Sequence, residues 1–168
     1  MATRIILALC ATLLAGCVAL VSCDEKAGAD VAAVKINGEW FHLEIAANDS
    51  VRYKGLGGRD FIAEDGGMIF VMPRPTVMNF IMRDCPIPID IAYLDAAGRV
   101  LTIHEMQPEE PRRDGETDLA YDGRLKQYSS RFPAQFAVEL AGGRMKEIGL
   151  DEGDKLEFNV RDLKRRAR

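Results

Sequence analysis

The sequence predicts a mainly β domain: a β-rich α+β fold, built as a compact antiparallel sandwich or open barrel of about seven strands with two short helices. Two observations lead to this prediction. Short apolar or alternating runs recur along the chain, bounded by turn residues such as glycine and proline, which is typical of strands joined by turns. In addition, Asn37-Gly38 separates two alternating runs, and this dipeptide is a strong short-range signal of a β-hairpin.

The first elements follow directly from this hairpin. It joins residues 31–36 and 39–46, and the alternation of the second arm places Phe41 toward the core. Asn48 to Ser50 provide capping side chains for a short helix over residues 51–56. The chain therefore begins its domain with a strand pair and one helical turn or two.

Residues 66–106 form the apolar centre of the chain. Prolines interrupt the predicted strands there, because proline fixes φ and cannot donate a ladder hydrogen bond. A polar loop is predicted at residues 107–127, and a second helix follows Gly142-Gly143. The strands predicted in and after this centre cover residues 68–72, 77–82, 89–94, 100–106, 134–140 and 155–160.

Length and charge predict one domain with a flexible end on each side. Of the 168 residues, the part after the targeting segment has the size of a single domain. We place that domain at residues 33–160, followed by a solvated basic tail at residues 161–168. The formal charge of −4 is spread along the chain, which argues against a nucleic-acid partner.

The N-terminus is predicted to be a signal peptide, residues 1–23, that ends in a lipobox. Residues 5–15 form an apolar run of secretory length that is too short to span a bilayer. Cys17 and Cys23 both follow a small residue as in bacterial lipoprotein signals, and Cys23 is favoured because the chain turns polar directly after it. An ordinary cleaved signal peptide is the alternative.

Both alternatives place the protein outside the cytoplasm. Lipidation of Cys23 would anchor the protein to a membrane, facing the periplasm or the cell exterior, with residues 24–32 as a tether. The domain then contains a single cysteine, Cys85, which has no partner for an intramolecular disulfide. The fold must therefore depend on its apolar core.

Several ordered blocks stand out between Ala33 and Phe158. They are Gly55-Leu56 with Arg59, Gly67-Met68-Ile69-Phe70, Phe80-Ile81-Met82-Arg83-Asp84, Ile87-Pro88-Ile89-Asp90-Ile91, Ala137-Val138-Glu139-Leu140 with Gly142, and Gly149 with Gly153-Asp154. Together they resemble the bacterial and archaeal family called domain of unknown function 192, here as a predicted lipoprotein member. The resemblance implies a compact β-rich sandwich and carries no established activity.

Three positions depart from the family pattern. The family usually has Met where this chain has Gly57, an aromatic residue where it has Ile81, and Asn-Thr where it has Asp84-Cys85. If these positions line a site, we expect the pocket of this member to be smaller and more acidic.

The predicted ligand-binding residues are Arg59, Met82, Arg83, Asp84 and Asp90. An acid inside an apolar run, such as Asp90, must be paired if it is buried, and the guanidinium of Arg59 or Arg83 could hold it bidentately. Such a group could be a structural ion pair, a pocket for a small polar or anionic ligand, or a pair of catalytic carboxylates formed by Asp84 and Asp90.

Met82, His104 and Met106 are the predicted metal ligands. Thioether and imidazole groups favour Cu(I), and His104 and Met106 are two apart on a strand, so both point to one face. Their spacing resembles part of the motif of periplasmic copper(I) chaperones, although methionine at strand spacing is also a common core residue. No other cofactor is predicted.

The predicted function is therefore that of an extracytoplasmic, membrane-anchored binding module without catalytic activity. Its partner would be a small ligand or a protein of the cell envelope. A Cu(I)-binding protein is the first alternative, and an acid–base enzyme is the second.

Overall fold

The computed structural model describes residues 30–167, which form eight strands and four helices. The strands are β1 (Val31–Ile36), β2 (Glu39–Ala46), β3 (Met68–Thr76), β4 (Asn79–Phe80), β5 (Ile89–Leu94), β6 (Val100–Met106), β7 (Tyr128–Ser129) and β8 (Ala134–Ala141). The helices are α1 (Asp49–Lys54), α2 (Asp118–Arg124), α3 (Arg144–Glu147) and α4 (Val160–Arg166).

Six of the strands form one open sheet in the order β1-β2-β3-β8-β5-β6, and β4 pairs with β7 in a separate two-stranded sheet. Strands β2 and β3 run parallel, and the other pairs are antiparallel. The mainly β, β-rich α+β class is thus confirmed. The large sheet is mixed, because α1 carries the chain from the end of β2 back to the start of β3.

The six-stranded sheet buries a core on each of its faces. One, here called the helix face, is covered by α3 and α4 through Met145 and Leu163. The other, here called the cavity face, is covered by the segment after α1 and by the small sheet. Helix-face strand residues include Phe41, Leu43, Ile69, Ala92, Phe136, Val138 and Leu140, and cavity-face strand residues include Ala46, Met68, Phe70, Ile91, Tyr93 and Ala137.

The central stretch differs from the prediction in two places. Strand β3 continues past Pro73 and Pro75, with a register shift against β8 between Val71 and Thr76. Prolines are tolerated at such irregular positions because no ladder donor is needed there. The predicted strand 77–82 is reduced to β4, because the chain leaves the large sheet to build the small one.

The C-terminal end also differs. The predicted strand 155–160 makes only isolated bridges, from Glu157 to Lys35 and from Lys155 to Arg99. The predicted solvated tail is largely α4, whose N-terminus is capped by the Asn159 side chain and whose Leu163 is buried in the helix-face core. The helix was not predicted because its apolar residues, Val160 and Leu163, are too few to form a recognisable helical pattern.

The polar stretch 107–127 contains a further helix, α2, which was predicted as loop. Its N-terminus is capped by Thr117, which accepts a hydrogen bond from the backbone N–H of Ala120 at 3.3 Å. Tyr121 is buried beneath it. The predicted signal peptide and Cys23 lie outside the described residues. Within residues 30–167, no helix has the length and apolar character needed to cross a bilayer.

Candidate functional site

The candidate site is built around Glu139, the one charged residue of strand β8. Its neighbours across the sheet are Met68 on β3 and Ile91 on β5, so the register places the carboxyl on the cavity face. The residue is only 5% exposed. The Oε2 atom of Glu139 is buried and has no hydrogen-bond partner among residues 30–167. A buried polar atom without a hydrogen-bond partner lowers the stability of a protein, so the presence of a glutamate at this position needs an explanation.

A cavity of about 550 Å³ opens in front of this carboxyl. That volume is within the range of pockets that hold small organic ligands. The Phe70 and Phe80 rings pack edge to face at 4.8 Å between centroids. The apolar lining comprises Leu56, Phe70, Met72, Val77, Met78, Phe80 and Ile81, and the polar lining includes Tyr53, Lys54, Asn79, Arg83, Cys85 and Glu139. We call this space the Glu139 cavity.

The electrostatics of the cavity favour an uncharged Glu139. Burial raises the pKa of this carboxyl to about 8, and the positive charge of Arg59 offsets the effect only in part. At neutral pH the carboxyl is therefore mostly protonated and can donate a hydrogen bond. Its donor O–H faces a space whose other walls are largely apolar.

Two further groups near Glu139, the Cys85 thiol in the cavity lining and the Tyr93 hydroxyl, are also neutral. Burial, with the nearby charge of Glu139 as a second cause, raises the pKa of the Cys85 thiol to about 12. Burial likewise raises the pKa of Tyr93, whose hydroxyl donates to the backbone oxygen of Tyr128 at 2.6 Å. A thiol with such a pKa is a poor nucleophile, so we interpret Cys85 as a residue that lines the cavity rather than as a reactive group.

The rim of the cavity is held by Arg83. Its guanidinium pairs with Asp122 of α2 and donates to the hydroxyl of Tyr53. It also lies over the Tyr53 ring, 4.1 Å from the ring centroid. Arg83, a predicted ligand-binding residue, is thus a cavity residue, although part of its hydrogen-bonding capacity is used within the protein.

A second, more polar cleft of about 810 Å³ adjoins the first, since Lys54 and Gly55 line both. Its cationic residues are Lys54, Arg59, Arg165 and Arg166, and its acidic residues are Asp30 and Glu44. The cations exceed the acids, and we call this space the basic cleft. Arg59, also predicted as a ligand-binding residue, is held bidentately by Glu44 at 2.6 and 2.7 Å.

Asp84 and Asp90, the predicted carboxylate pair, lie apart. Asp84 is exposed in a tight turn, where its backbone N–H donates to the Tyr121 hydroxyl at 3.1 Å. Asp90 is 1% exposed and lies opposite Leu140 in the register, on the helix face. Its Oδ2 accepts a hydrogen bond from the backbone N–H of Met145 at 3.0 Å, and so it caps α3. These two residues do not provide the paired carboxylates of an acid–base enzyme.

Met82 and Met106 are both buried in the cavity-face core, as a copper site would require of its thioethers. His104 lies on the same strand face as Met106, and its Nε2 is 2.8 Å from the backbone oxygen of Ser129. A carbonyl can only accept, so Nε2 carries the proton in this contact and Nδ1 would be the metal-binding atom. Among the described residues, no group of three or more His, Cys, Asp and Glu side chains could hold a metal ion.

Sequence reasoning did not select Glu139 as a site residue. The signal was present, because Glu139 interrupts an apolar strand in the same way as Asp90. Three departures from the family pattern also meet at this cavity, since Gly57, Ile81 and Cys85 line it. Glycine and isoleucine are smaller than methionine and an aromatic side chain, so at Gly57 and Ile81 the side chains alone favour a roomier pocket rather than the smaller one that was expected.

Comparisons with known proteins place this domain among uncharacterised relatives. The model of the DUF192 family, described as an uncharacterized ACR, matches residues 32–158. No curated protein sequence matches the chain.

Two crystal structures are similar to it. One is from Sinorhizobium meliloti 1021 and is described, provisionally, as a transcription regulator. It has a TM-score of 0.61 and 26% identity over 77% of this chain and 92% of its own. The other is a protein of unknown function from Novosphingobium aromaticivorans DSM 12444, with a TM-score of 0.62 and 26% identity over 76% of this chain and 82% of its own.

Proposed function

The chain belongs to the DUF192 family, and we propose that it is an extracytoplasmic, membrane-anchored module that binds a small, mainly apolar organic ligand in the Glu139 cavity. The observation that carries this proposal is the Oε2 atom of Glu139, which is buried and unpaired at the wall of an apolar cavity. A perturbed carboxyl in a cleft is a general mark of a functional site.

The ligand proposed for this cavity has an apolar body and a hydrogen-bond acceptor. The apolar body would pack against Phe70, Phe80 and the methionines that line the cavity. The acceptor would receive the proton of the Glu139 carboxyl and so give that group the partner it lacks. Because the carboxyl and the thiol of Cys85 are both neutral at pH 7, the deep wall offers no strong charge of its own.

The proposal can be tested with residues 24–168 alone. Both similar crystal structures are matched over most of their own length, 92% and 82%, by 77% and 76% of this chain, so we expect the domain to fold without the predicted signal peptide. We would titrate this domain with N-phenyl-1-naphthylamine, a neutral fluorophore that brightens in apolar sites. Saturable binding is expected.

A cavity-filling variant locates the binding. Ile81→Trp adds an indole to the wall of the cavity and is expected to weaken binding of the fluorophore at least tenfold, by steric exclusion. Leu119→Trp adds the same side chain at an exposed position outside the cavity lining and should leave binding unchanged. Equal affinity in both variants, or no binding to the wild type, would contradict the proposal.

Membrane anchoring is the sequence-based part of the proposal. It is supported by the lipobox-like Leu20-Val21-Ser22-Cys23 and by the polar residues that follow it. In cells of the source species, Cys23→Ser is expected to move the protein from the membrane to the soluble fraction, whereas Cys17→Ser should not. If the wild type is already soluble, the ordinary secretory signal is the correct interpretation.

Copper(I) binding is the second candidate function. It is favoured by the burial of Met82 and Met106 in one core cluster, with the His104 ring on the same strand face. The test is thermal unfolding with Cu(I) under reducing conditions. A rise in Tm that is lost in His104→Ala and kept in His42→Ala, the other histidine, would favour copper over the organic ligand.

The description of the Sinorhizobium relative as a regulator is not transferred to this chain. The formal charge of −4 and its even distribution do not favour contact with a nucleic-acid backbone. We therefore propose a small ligand or an envelope protein as the partner, and no nucleic acid.

A further inference from the structure

We infer that the ligand of the Glu139 cavity is a single-chain anionic amphiphile, whose anionic oxygen head lies against Glu139 at the border with the basic cleft and whose apolar chain fills the cavity. This inference rests on the proposed function and names its ligand class. It follows from three observations, which concern the carboxyl, the shared border of the two spaces, and the apolar wall.

The first observation is the position of Glu139 between the two spaces. Its carboxyl lines the apolar cavity, yet it is coupled electrostatically to Arg59 in the basic cleft. A ligand oxygen that accepts the Glu139 proton would therefore also feel the positive charge of Arg59. Hydrogen bonds from O–H to an anionic oxygen are about twice as strong as neutral ones, so an anionic acceptor is favoured over a neutral one.

The second observation is the shared border, formed by Lys54 and Gly55. Gly55 has φ +51°, and a Cβ built at this position would lie 3.8 Å from Glu139 Oε2 and 3.4 Å from the Phe70 ring. A longer side chain would fill the border beside the carboxyl, so glycine leaves room there for a group of the ligand. The adjacent Lys54 is exposed and lines both spaces, which places a positive charge at the same point.

The third observation is the composition of the remaining wall. Phe70, Met72, Met78 and Phe80 provide an apolar surface of aromatic and flexible thioether side chains. This surface suits an extended hydrocarbon chain. A cationic ligand is disfavoured, because the positive side chains of Lys54 and Arg83 line the same cavity.

The test compares ligands that share one chain and differ in the head. Decanoate, decyl phosphate, decanol and decyltrimethylammonium would each be titrated into residues 24–168 at pH 7 by calorimetry, below their micelle concentrations. Decanoate or decyl phosphate is expected to bind about threefold to tenfold more tightly than decanol, and the cation most weakly. The tighter of the two anions identifies a carboxylate or a phosphate head.

A salt series and two lysine variants test whether the preference for an anionic head arises at the border formed by Lys54 and Gly55. The advantage of the anion over decanol should disappear between about 0.05 and 0.5 M NaCl. Lys54→Gln is expected to weaken the anion about threefold and to leave decanol unchanged, whereas Lys146→Gln, an exposed lysine outside both spaces, should affect neither.

The two proposals fail in different ways. If neither decanol nor the neutral fluorophore binds, the cavity is not a ligand site and the proposed function is wrong. If the fluorophore or decanol binds but the anions bind no better than decanol, or Lys54→Gln has no effect on them, the cavity binds another class of ligand and only the inference is overturned.

Discussion

Asp90 and Glu139 are the two buried carboxyls of the described chain, and they lie on neighbouring strands of one sheet. Asp90 is opposite Leu140 and Glu139 is opposite Ile91, so the two acids are one register step apart and point to opposite faces. Burial raises the pKa of both. The same local pattern, one acid within an apolar strand, therefore occurs in two different settings.

The difference lies in what covers each face. Asp90 is enclosed by α3, and backbone N–H groups of Gly143 and Met145 oppose the effect of burial on its pKa. Such a carboxyl is explained by the helix that it caps. No backbone donor is among the causes that act on Glu139, and its Oε2 lies at an apolar cavity. Asp90 thus has a backbone partner within the fold for its Oδ2, although its Oδ1 is buried without one, whereas Glu139 Oε2 has no partner among residues 30–167 and is the atom for which we propose a ligand.

The largest expected effect of a single substitution on stability distinguishes the helix face of the sheet from the cavity face. Leu163→Ala should lower the free energy of unfolding by about 3 kcal/mol, because Leu163 of α4 is buried in the closed helix-face core. Val77→Ala, at the exposed mouth of the Glu139 cavity, should change it by less than about 0.5 kcal/mol. Urea unfolding of both variants measures this contrast, and a small loss for Leu163→Ala would mean that α4 does not stabilise the domain.

The next effect distinguishes the two carboxyls. Asp90→Ala should cost about 2 kcal/mol, because it leaves the buried backbone N–H of Met145 in α3 without its acceptor. Glu139→Leu should be neutral or stabilising, because it replaces an unpaired polar atom by an apolar side chain of similar size.

The same urea unfolding experiment compares these variants, and titration with decanoate completes it. Asp90→Ala should keep its affinity if folded, whereas Glu139→Leu should lose about tenfold, the equivalent of one hydrogen bond of roughly 1.4 kcal/mol. A destabilised Glu139→Leu with normal affinity would reverse the roles assigned to the two acids.

The sequence was sufficient to predict the fold class and the approximate positions of the six strands of the large sheet, but not which acid faces a cavity. The apolar runs that hold Asp90 and Glu139 could be recognised from the sequence. Strands that are buried on both faces are apolar almost throughout, so a single acid within them stands out. The face to which each acid points depends on the pairing of β5 with β8, about 50 residues apart in the chain, and no local pattern specifies such a register.

The ion pairs were missed for the same reason. Arg59 and Arg83 were the two candidate partners of Asp90. Instead, Arg83 meets Asp122 of α2, a helix within a stretch that was predicted as loop, and Arg59 is held by Glu44. Charged side chains are long and exposed, so their partners are decided by the tertiary fold rather than by their neighbours in the chain.

A further effect, which accumulates gradually over several pH units, concerns the titration of Glu139. Glu139 has an ordinary pKa of 4.5 in the unfolded chain and a pKa of about 8 in the folded protein. Between these values the folded state binds more protons, so the contribution of Glu139 to stability is fully present below pH 4.5 and is lost as the pH rises through about 8. The slope attributable to this residue is at most about 1.4 kcal/mol per pH unit.

Urea unfolding at a series of pH values from about 5 to 8.5 would detect this slope. Glu139→Gln keeps the shape and the donor but cannot ionise, so its stability should vary less with pH than that of the wild type across this range. Glu64→Gln, at an exposed carboxyl, is the matched control and should retain the wild-type slope. An unchanged slope in Glu139→Gln would show that this carboxyl is ionised throughout.

The smallest expected effect tests the coupling between Glu139 and the basic cleft. Arg59 lowers the pKa of Glu139 by its positive charge, so Arg59→Gln should raise that pKa further, by less than about one unit. Glu44→Gln should have the opposite sign, because it removes a negative charge and releases Arg59 from its bidentate partner. The Glu139 carboxyl carbon, followed by NMR across pH, reports both shifts. Shifts of equal sign in the two variants would mean that Arg59 acts on Glu139 through packing, and the electrostatic link between cavity and cleft would have to be abandoned.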